Sequence, residues 1–191
     1  MDKKIIALAV VGVIALVLII LVLMWVGIFN GLVSGQQNVS EKWSQVEVQY
    51  QRRVDLIPNV IATVKGVSSF EQDTLTQLSA LRSQWQTASN VNEKVDTANQ
   101  IESTLSKILV MAENYPELQA TQAYRDLITE LEGTENRVAF ARGEFNVAVR
   151  GYNTLVMSFP SNMVASANGF TEKDYFKSAE GAENAPVVDF G

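Results

Sequence analysis

The chain opens on an apolar block and only later becomes periodic. Residues 5–29 are 25 consecutive uncharged positions, two of them glycine. At about 1.5 Å rise per residue this block is about 38 Å long, more than the roughly 30 Å hydrocarbon core of a bilayer. A soluble helix of that length carries a polar stripe, and none is present. A secretory signal has an apolar core of roughly 7–15 residues before a small-residue cleavage site, whereas this run is longer and leads into Trp25-Val26-Gly27-Ile28-Phe29. The block Ile5–Phe29 is therefore predicted to be an uncleaved single-pass transmembrane helix behind a short basic N-terminus, residues 1–4. Trp25 and Phe29 are candidates for the membrane interface, where aromatic rings are favoured.

Asn30-Gly31-Leu32-Val33-Ser34-Gly35 carries two glycines and a serine, so residues 30–38 read as a hinge. From Val39 a stripe runs through Trp43, Val46, Tyr50, Arg53, Ile57, Val60, Val64 and Val67, with eight of nine positions apolar or aromatic. Alternating spacings of four and three make this an amphipathic helix. Pro58 lies inside it, which predicts a bend near Val54–Asp55. Ser68 and Glu71 have capping-box spacing and mark a second helix through Phe70, Leu75, Leu78, Leu81 and Trp85. A turn at Thr87–Asn90 precedes a third helix through Val91, Ala98, Ile101, Leu105, Ile108 and Ala112. That helix stops at Asn114-Tyr115-Pro116, because Pro116 disfavours a helical Tyr115. The fourth and longest element has eleven of twelve stripe positions apolar between Ala120 and Phe159, which is about 60 Å of helix before Pro160. Strand-type alternation is nowhere sustained.

The predicted fold class is all-α: an N-terminal single transmembrane helix plus an elongated up-down antiparallel helical bundle over residues 39–160. Residues 161–177 form an amphipathic, aromatic C-terminal segment, and residues 178–191, rich in Ala, Gly and acidic side chains, are predicted to be disordered. An up-down path returns the chain to the bilayer after Phe159. Phe159, Met163, Phe170, Tyr175 and Phe176 are therefore further candidates for the membrane interface, the alternative being that they pack on the base of the bundle.

Charge narrows the partners. Lys3, Lys4 and Asp2 are the only charges in the first 29 residues, which leaves 13 basic against 20 acidic residues and a net charge of −7. Such a domain repels nucleic acid. Lys3 and Lys4 precede the span and only Lys42 follows it within twenty residues, which favours a cytoplasmic N-terminus and an extracytoplasmic bundle. The chain holds no Cys and no His, so it lacks the thiol nucleophile, the commonest zinc ligand and the commonest general base. It also lacks an EF-hand loop, a phosphate-cradling glycine motif and a nucleophile elbow. The expectation is a non-enzyme with no cofactor and no metal.

Three groups of residues stand out. Arg53 interrupts the first stripe, so its guanidinium either reaches the bundle edge along its apolar stem or is paired inside the bundle, as a structural ion pair or as a ligand anchor. Counting back from a register in which Val67 faces Pro116 places it opposite residues 129–132, which makes Glu130 or Glu132 the expected partner of a structural ion pair. The turn Glu113-Asn114-Tyr115-Pro116 joins a carboxylate, an amide and a phenol, and reads either as a partner-binding tip or as a plain helix stop. Glu135, Asn136 and Arg142 fall in the long helix, where charges usually form a solvated face or weak pairs.

Laid side by side, these segments resemble the LemA family. The resemblance rests on Gln51-Arg52-Arg53-Val54-Asp55-Leu56-Ile57-Pro58-Asn59 with Val64-Lys65-Gly66, and on Ala112-Glu113-Asn114-Tyr115-Pro116-Glu117-Leu118. A third group comprises Thr134-Glu135-Asn136-Arg137, Ala141-Arg142, Phe145-Asn146 and Tyr152-Asn153, with Phe159-Pro160 and Gly169-Phe170 trailing. It covers residues 5 to about 176. The resemblance implies a membrane-anchored helical bundle, with no agreed biochemical activity and some relatives in the opposite membrane orientation. It also implies a role in envelope organisation or quality control beside membrane proteases. Residues and resemblance together predict a structural, self-assembling scaffold of the bacterial cell envelope that is homo-oligomeric, with the lipid bilayer as its first partner. The alternative is an adaptor or regulator presenting Glu113–Pro116 to a membrane protease or another envelope protein.

Overall fold

In the computed structural model, residues 3–65 and 72–176 are described, with side chains at Leu8 and from Val10 onward. These residues form six helices and no strand: α1 (Lys3–Lys65), α2 (Gln72–Thr87), α3 (Val91–Ala112), α4 (Pro116–Gln119), α5 (Gln122–Met157) and α6 (Ser161–Ala167). The expected all-α class and its one long apolar N-terminal helix are both present. Gly66, Val67, Ser68, Phe70 and Glu71, and the predicted tail at 178–191, lie outside the described residues.

The chain divides into two compact units, one of residues 1–43 and 144–175 and the other of 44–143 and 176–191. The first unit contains the apolar block. Between Val10 and Val26 every large apolar side chain is exposed, and this stretch is the one part of the described residues long and apolar enough to cross a membrane. The expected hinge is absent: residues 30–38 lie inside α1. Leu32 is completely buried against Val164 and Ala165 of α6, with Ile28, Phe29, Val156 and Phe170 around them. A glycine within a helix costs about 0.5–1 kcal/mol, and burying one leucine returns about 1.5–3 kcal/mol, so tertiary packing keeps this segment helical. At Gly35 a Cβ would stand 3.2 Å from Tyr152 Cδ2, so the glycine here allows α1 and α5 to approach closely. Trp43 meets Phe145 edge-on at 5.5 Å, and Lys42 bridges Glu144 at 3.0 Å.

The second unit is the helical bundle. Its α1 portion buries Val46, Tyr50, Arg53, Ile57, Val60 and Val64 as the stripe predicts. The helix runs through Pro58 without interruption. Leu75, Leu78, Leu81 and Trp85 of α2, and Ala98, Ile101, Leu105, Ile108 and Ala112 of α3, complete the core with Leu127, Leu131, Val138 and Ala141 of α5. Val91, expected on the α3 stripe, is exposed. Asn90 caps α3 by accepting from Glu93 N at 2.9 Å. Glu93 reciprocates by accepting from Ser89 N at 2.9 Å, and this bond holds the Glu93 carboxyl below its ordinary value. The long fourth element is split: α4 ends at Gln119 and α5 starts at Gln122, where the Thr121 hydroxyl accepts from Tyr124 N at 3.2 Å. Ser, Thr, Asn and Asp caps end a helix wherever they satisfy its free N–H groups better than another turn does, and the apolar phase on either side does not reveal that.

Candidate functional site

The bundle core contains a charged cluster assembled from three helices. Tyr50 and Arg53 stand three residues apart on the buried stripe of α1, and Arg53 is only 5% exposed. Glu135 and Arg142 lie seven residues, two turns, apart on α5, and Glu102 sits on α3 beside buried Ile101. Glu102 Oε1 accepts from the Tyr50 hydroxyl at 2.8 Å and from Arg53 at 3.2 Å. Arg142 donates to the same oxygen, while the other terminal nitrogen of Arg53 donates to Glu135. Two guanidinium groups thus face two carboxyl groups.

Aromatic rings shield it. Tyr50 and Phe176 stack with planes 7° apart at 6.0 Å, and the Arg142 guanidinium lies 4.5 Å over Phe176 and 5.2 Å over Tyr50. Trp85 packs at 5.4 Å on the other side of the Tyr50 contact network and donates through Nε1 to Gln51 at 3.0 Å. Lys94 lies 5.2 Å over the Trp85 ring and pairs with Glu47. Cations over aromatic faces gain about 0.5–2 kcal/mol as they lose water. Burial pushes the Glu102 carboxyl up to about 7, against the pull of Arg53 and with the help of the neighbouring Glu135 charge. Burial likewise lowers the Arg142 guanidinium to about 10.

Arg53 is an internal ion-pair residue, but Glu130 and Glu132 are not its partners. Both are exposed, and Glu130 lines a surface groove with Arg52, Asp55 and Arg137. The assumed register treated residues from Pro116 onward as one helix. Because α4 is a separate turn, the true acceptor comes about one helical turn later, at Glu135. Arg142, expected in a solvated face or weak pairs, is largely buried in the cluster, whereas Glu135 reaches Arg53 from the cluster's edge with its side chain 53% exposed. Glu102 was not singled out in the sequence; its only signal is its position flanking Ile101 and Leu105 on the α3 stripe.

The turn at Glu113–Pro116 joins α3 to α4. Glu113 and Asn114 are exposed, Asn114 N and Tyr115 N both close the end of α3 at 3.1 Å, and Pro116 occupies the first turn of α4. Its backbone is therefore that of an ordinary helix stop.

The interface candidates divide. Trp25, Phe159, Met163 and Tyr175 are exposed. Phe29 and Phe170 meet edge-on at 5.7 Å beside the Leu32 cluster. Phe176 is buried and belongs to the ionic cluster of the bundle, which removes it from any lipid surface. A ring that can stack on Tyr50 and receive a guanidinium gains more there than at a wet interface. Asn153, buried in the first unit, donates to Lys173 O at 2.9 Å and accepts from Lys173 N at 2.8 Å, so it holds the extended segment after α6 by its backbone.

Among the described residues no cluster of acidic side chains has the form of a metal site. The chain is 23% identical to magnetosome protein MamQ 2 of Paramagnetospirillum magneticum, over 84% of this chain and 68% of that protein. It is 22% identical to magnetosome protein MamQ of Magnetospirillum gryphiswaldense with the same coverage. It is 24% identical to protein LemA of Metamycoplasma hominis, over 82% of this chain and 72% of that one. The model of the LemA family matches residues 42–190, a span that includes every member of the ionic cluster, and the chain belongs to the LemA family.

Proposed function

We propose that the protein is a membrane-anchored structural component of the cell envelope that acts without catalysis and assembles with copies of itself. The observation that carries this reading is the continuity of α1. A rod whose apolar side chains are exposed from Val10 to Val26 passes without a break into a segment packed through Leu32, Gly35 and Val39. An anchor joined by a flexible linker lets what it carries tumble; an anchor continuous with this packed segment holds residues 28–39 and the helical residues packed on them within the first unit at one attitude to the bilayer, which is what a scaffold requires. The ionic cluster supports the same role, since its charged groups pair with each other across α1, α3 and α5. Two relatives carry names that place them in the magnetosome, which suits an organiser of membrane structure. The charge bias of Lys3 and Lys4 over Lys42 supports a cytoplasmic N-terminus and an extracytoplasmic bundle.

Chemical cross-linking in native membranes tests the proposal. A ladder of multiples of this chain is expected. A single band with one heterologous protein, lost when Glu113 and Asn114 are both changed to Ala, would replace the scaffold with an adaptor that presents the α3–α4 turn to a membrane protease.

A further inference from the structure

We infer that the elbow between α5 and α6 is a second membrane contact that inserts into the headgroup zone beside the anchor. The inference rests on the reading of α1 as a bilayer span. Within the first unit, Leu32 packs on Val164 and Ala165, with Ile28, Phe29 and Phe170 alongside. α6 therefore lies level with residues 28–32 of α1. From Ile5 to Val26 the helix rises about 33 Å at 1.5 Å per residue, enough to cross a hydrocarbon core of roughly 30 Å. Residues 28–32 then follow about 3–9 Å further on, in the polar headgroup region, which is roughly 5–8 Å deep on each side.

The elbow presents apolar side chains at that depth. Phe159 is 80% exposed, Met163 61% and Met157 56%, and Met157 and Met163 adjoin in sequence Val156 and Val164 of the packed cluster. Every residue from Gly151 to Thr171 is uncharged, as is every residue from Ile5 to Ser40, in a chain that is 19% charged overall. A surface without charges meets no ion-desolvation cost on entering lipid, and exposed Phe and Met gain by leaving water. Two of the polar side chains nearby bond within the elbow: the Ser161 hydroxyl donates to Ser158 O at 2.8 Å and the Asn168 amide to Val164 O at 2.8 Å. Because the contact is apolar, it needs no anionic lipid and is insensitive to salt.

Since the chain has no cysteine, single-cysteine variants can report depth. Full-length F159C and M163C, labelled with an environment-sensitive fluorophore in phosphatidylcholine vesicles, are compared with I19C in the span. V147C, also exposed and about 15 Å along α5 from Met157 at 1.5 Å per residue, serves as the aqueous control. Labels at 159 and 163 are expected to shift to the blue and to be quenched by a nitroxide near the top of the lipid chain, equally in low and high salt. Labels at both positions behaving like V147C, with I19C quenched, would overturn the elbow contact and leave the anchor intact. A blue shift without lipid quenching at 159 and 163 would also overturn it, in favour of a protein neighbour. An unquenched I19C would overturn the anchor and the elbow together.

Discussion

The two halves of α1 obey one helical geometry in two different solvents. Between Val10 and Val26 its large apolar residues are exposed all the way round, and the stretch from Ile5 to Ser40 holds no charged residue. Between Val46 and Val64 the same helix buries a stripe spaced by threes and fours, with Val54 beside it, and one member of that stripe is an arginine. A helix is apolar on every side where its surroundings are apolar on every side, and on one face where only that face is covered. The first half tolerates no charge, whereas the second tolerates one because Glu102 and Glu135 meet it.

Charge placed in each half tests the contrast most strongly in the first. The double variant I14D and L18D should cost about 5–7 kcal/mol of insertion, at about 2.5–3.5 kcal/mol per acidic residue in mid-bilayer. The chain should then move from the carbonate-resistant membrane fraction to the supernatant. Retention in the membrane would show that the exposed rod is not held by lipid.

In the second half the test is removal of charge. R53M should destabilise the detergent-solubilised protein by about 3–5 kcal/mol in urea unfolding, since it removes a buried cation and leaves the largely buried Glu102 short of a partner. R52M, at the exposed neighbouring position, should stay within about 0.5 kcal/mol. Equal effects at both positions would remove the special status of Arg53.

The second half and its neighbours also offer a pH test. Glu102 is raised to about 7 from an ordinary 4.5, so between those values the folded chain holds a proton that the unfolded chain has released. Stability from this group is therefore full below about pH 4.5 and falls as pH rises through 7, by less than about 1.4 kcal/mol per unit. Thermal unfolding from pH 4.5 to 8 should show that decline in the native protein and a flatter profile in E102Q. A smaller difference separates two glycines whose added Cβ would meet nothing within 4 Å, Gly12 in the span and Gly133 in α5. G133A should raise the urea stability of the bundle by about 0.5–1 kcal/mol through helix propensity, while G12A should leave it unchanged.

Which features were legible in the sequence follows from the range of the interactions behind them. The span and the inward stripes of α1, α2, α3 and α5 are set by residues three or four apart, a spacing visible in one dimension. The third helix, expected between the turn at Thr87–Asn90 and the stop at Asn114-Tyr115-Pro116, runs over Val91–Ala112. The hinge at 30–38 was misread because Gly31 and Gly35 weaken a helix locally, while the burial of Leu32 that outweighs them is supplied by α6, some 130 residues away.

Arg53 announced itself as a cation on an apolar stripe, so the need for an internal partner was already contained in the sequence. The identity of that partner was not, because one capping threonine between α4 and α5 shifts the register by about a turn and exchanges Glu132 for Glu135. Phe176 shows the same division: its aromatic character was evident, but only the folded chain chose stacking on Tyr50 and Arg142 over lipid. Local pattern determines which side chains must leave water; the three-dimensional path of the chain decides which surface receives them.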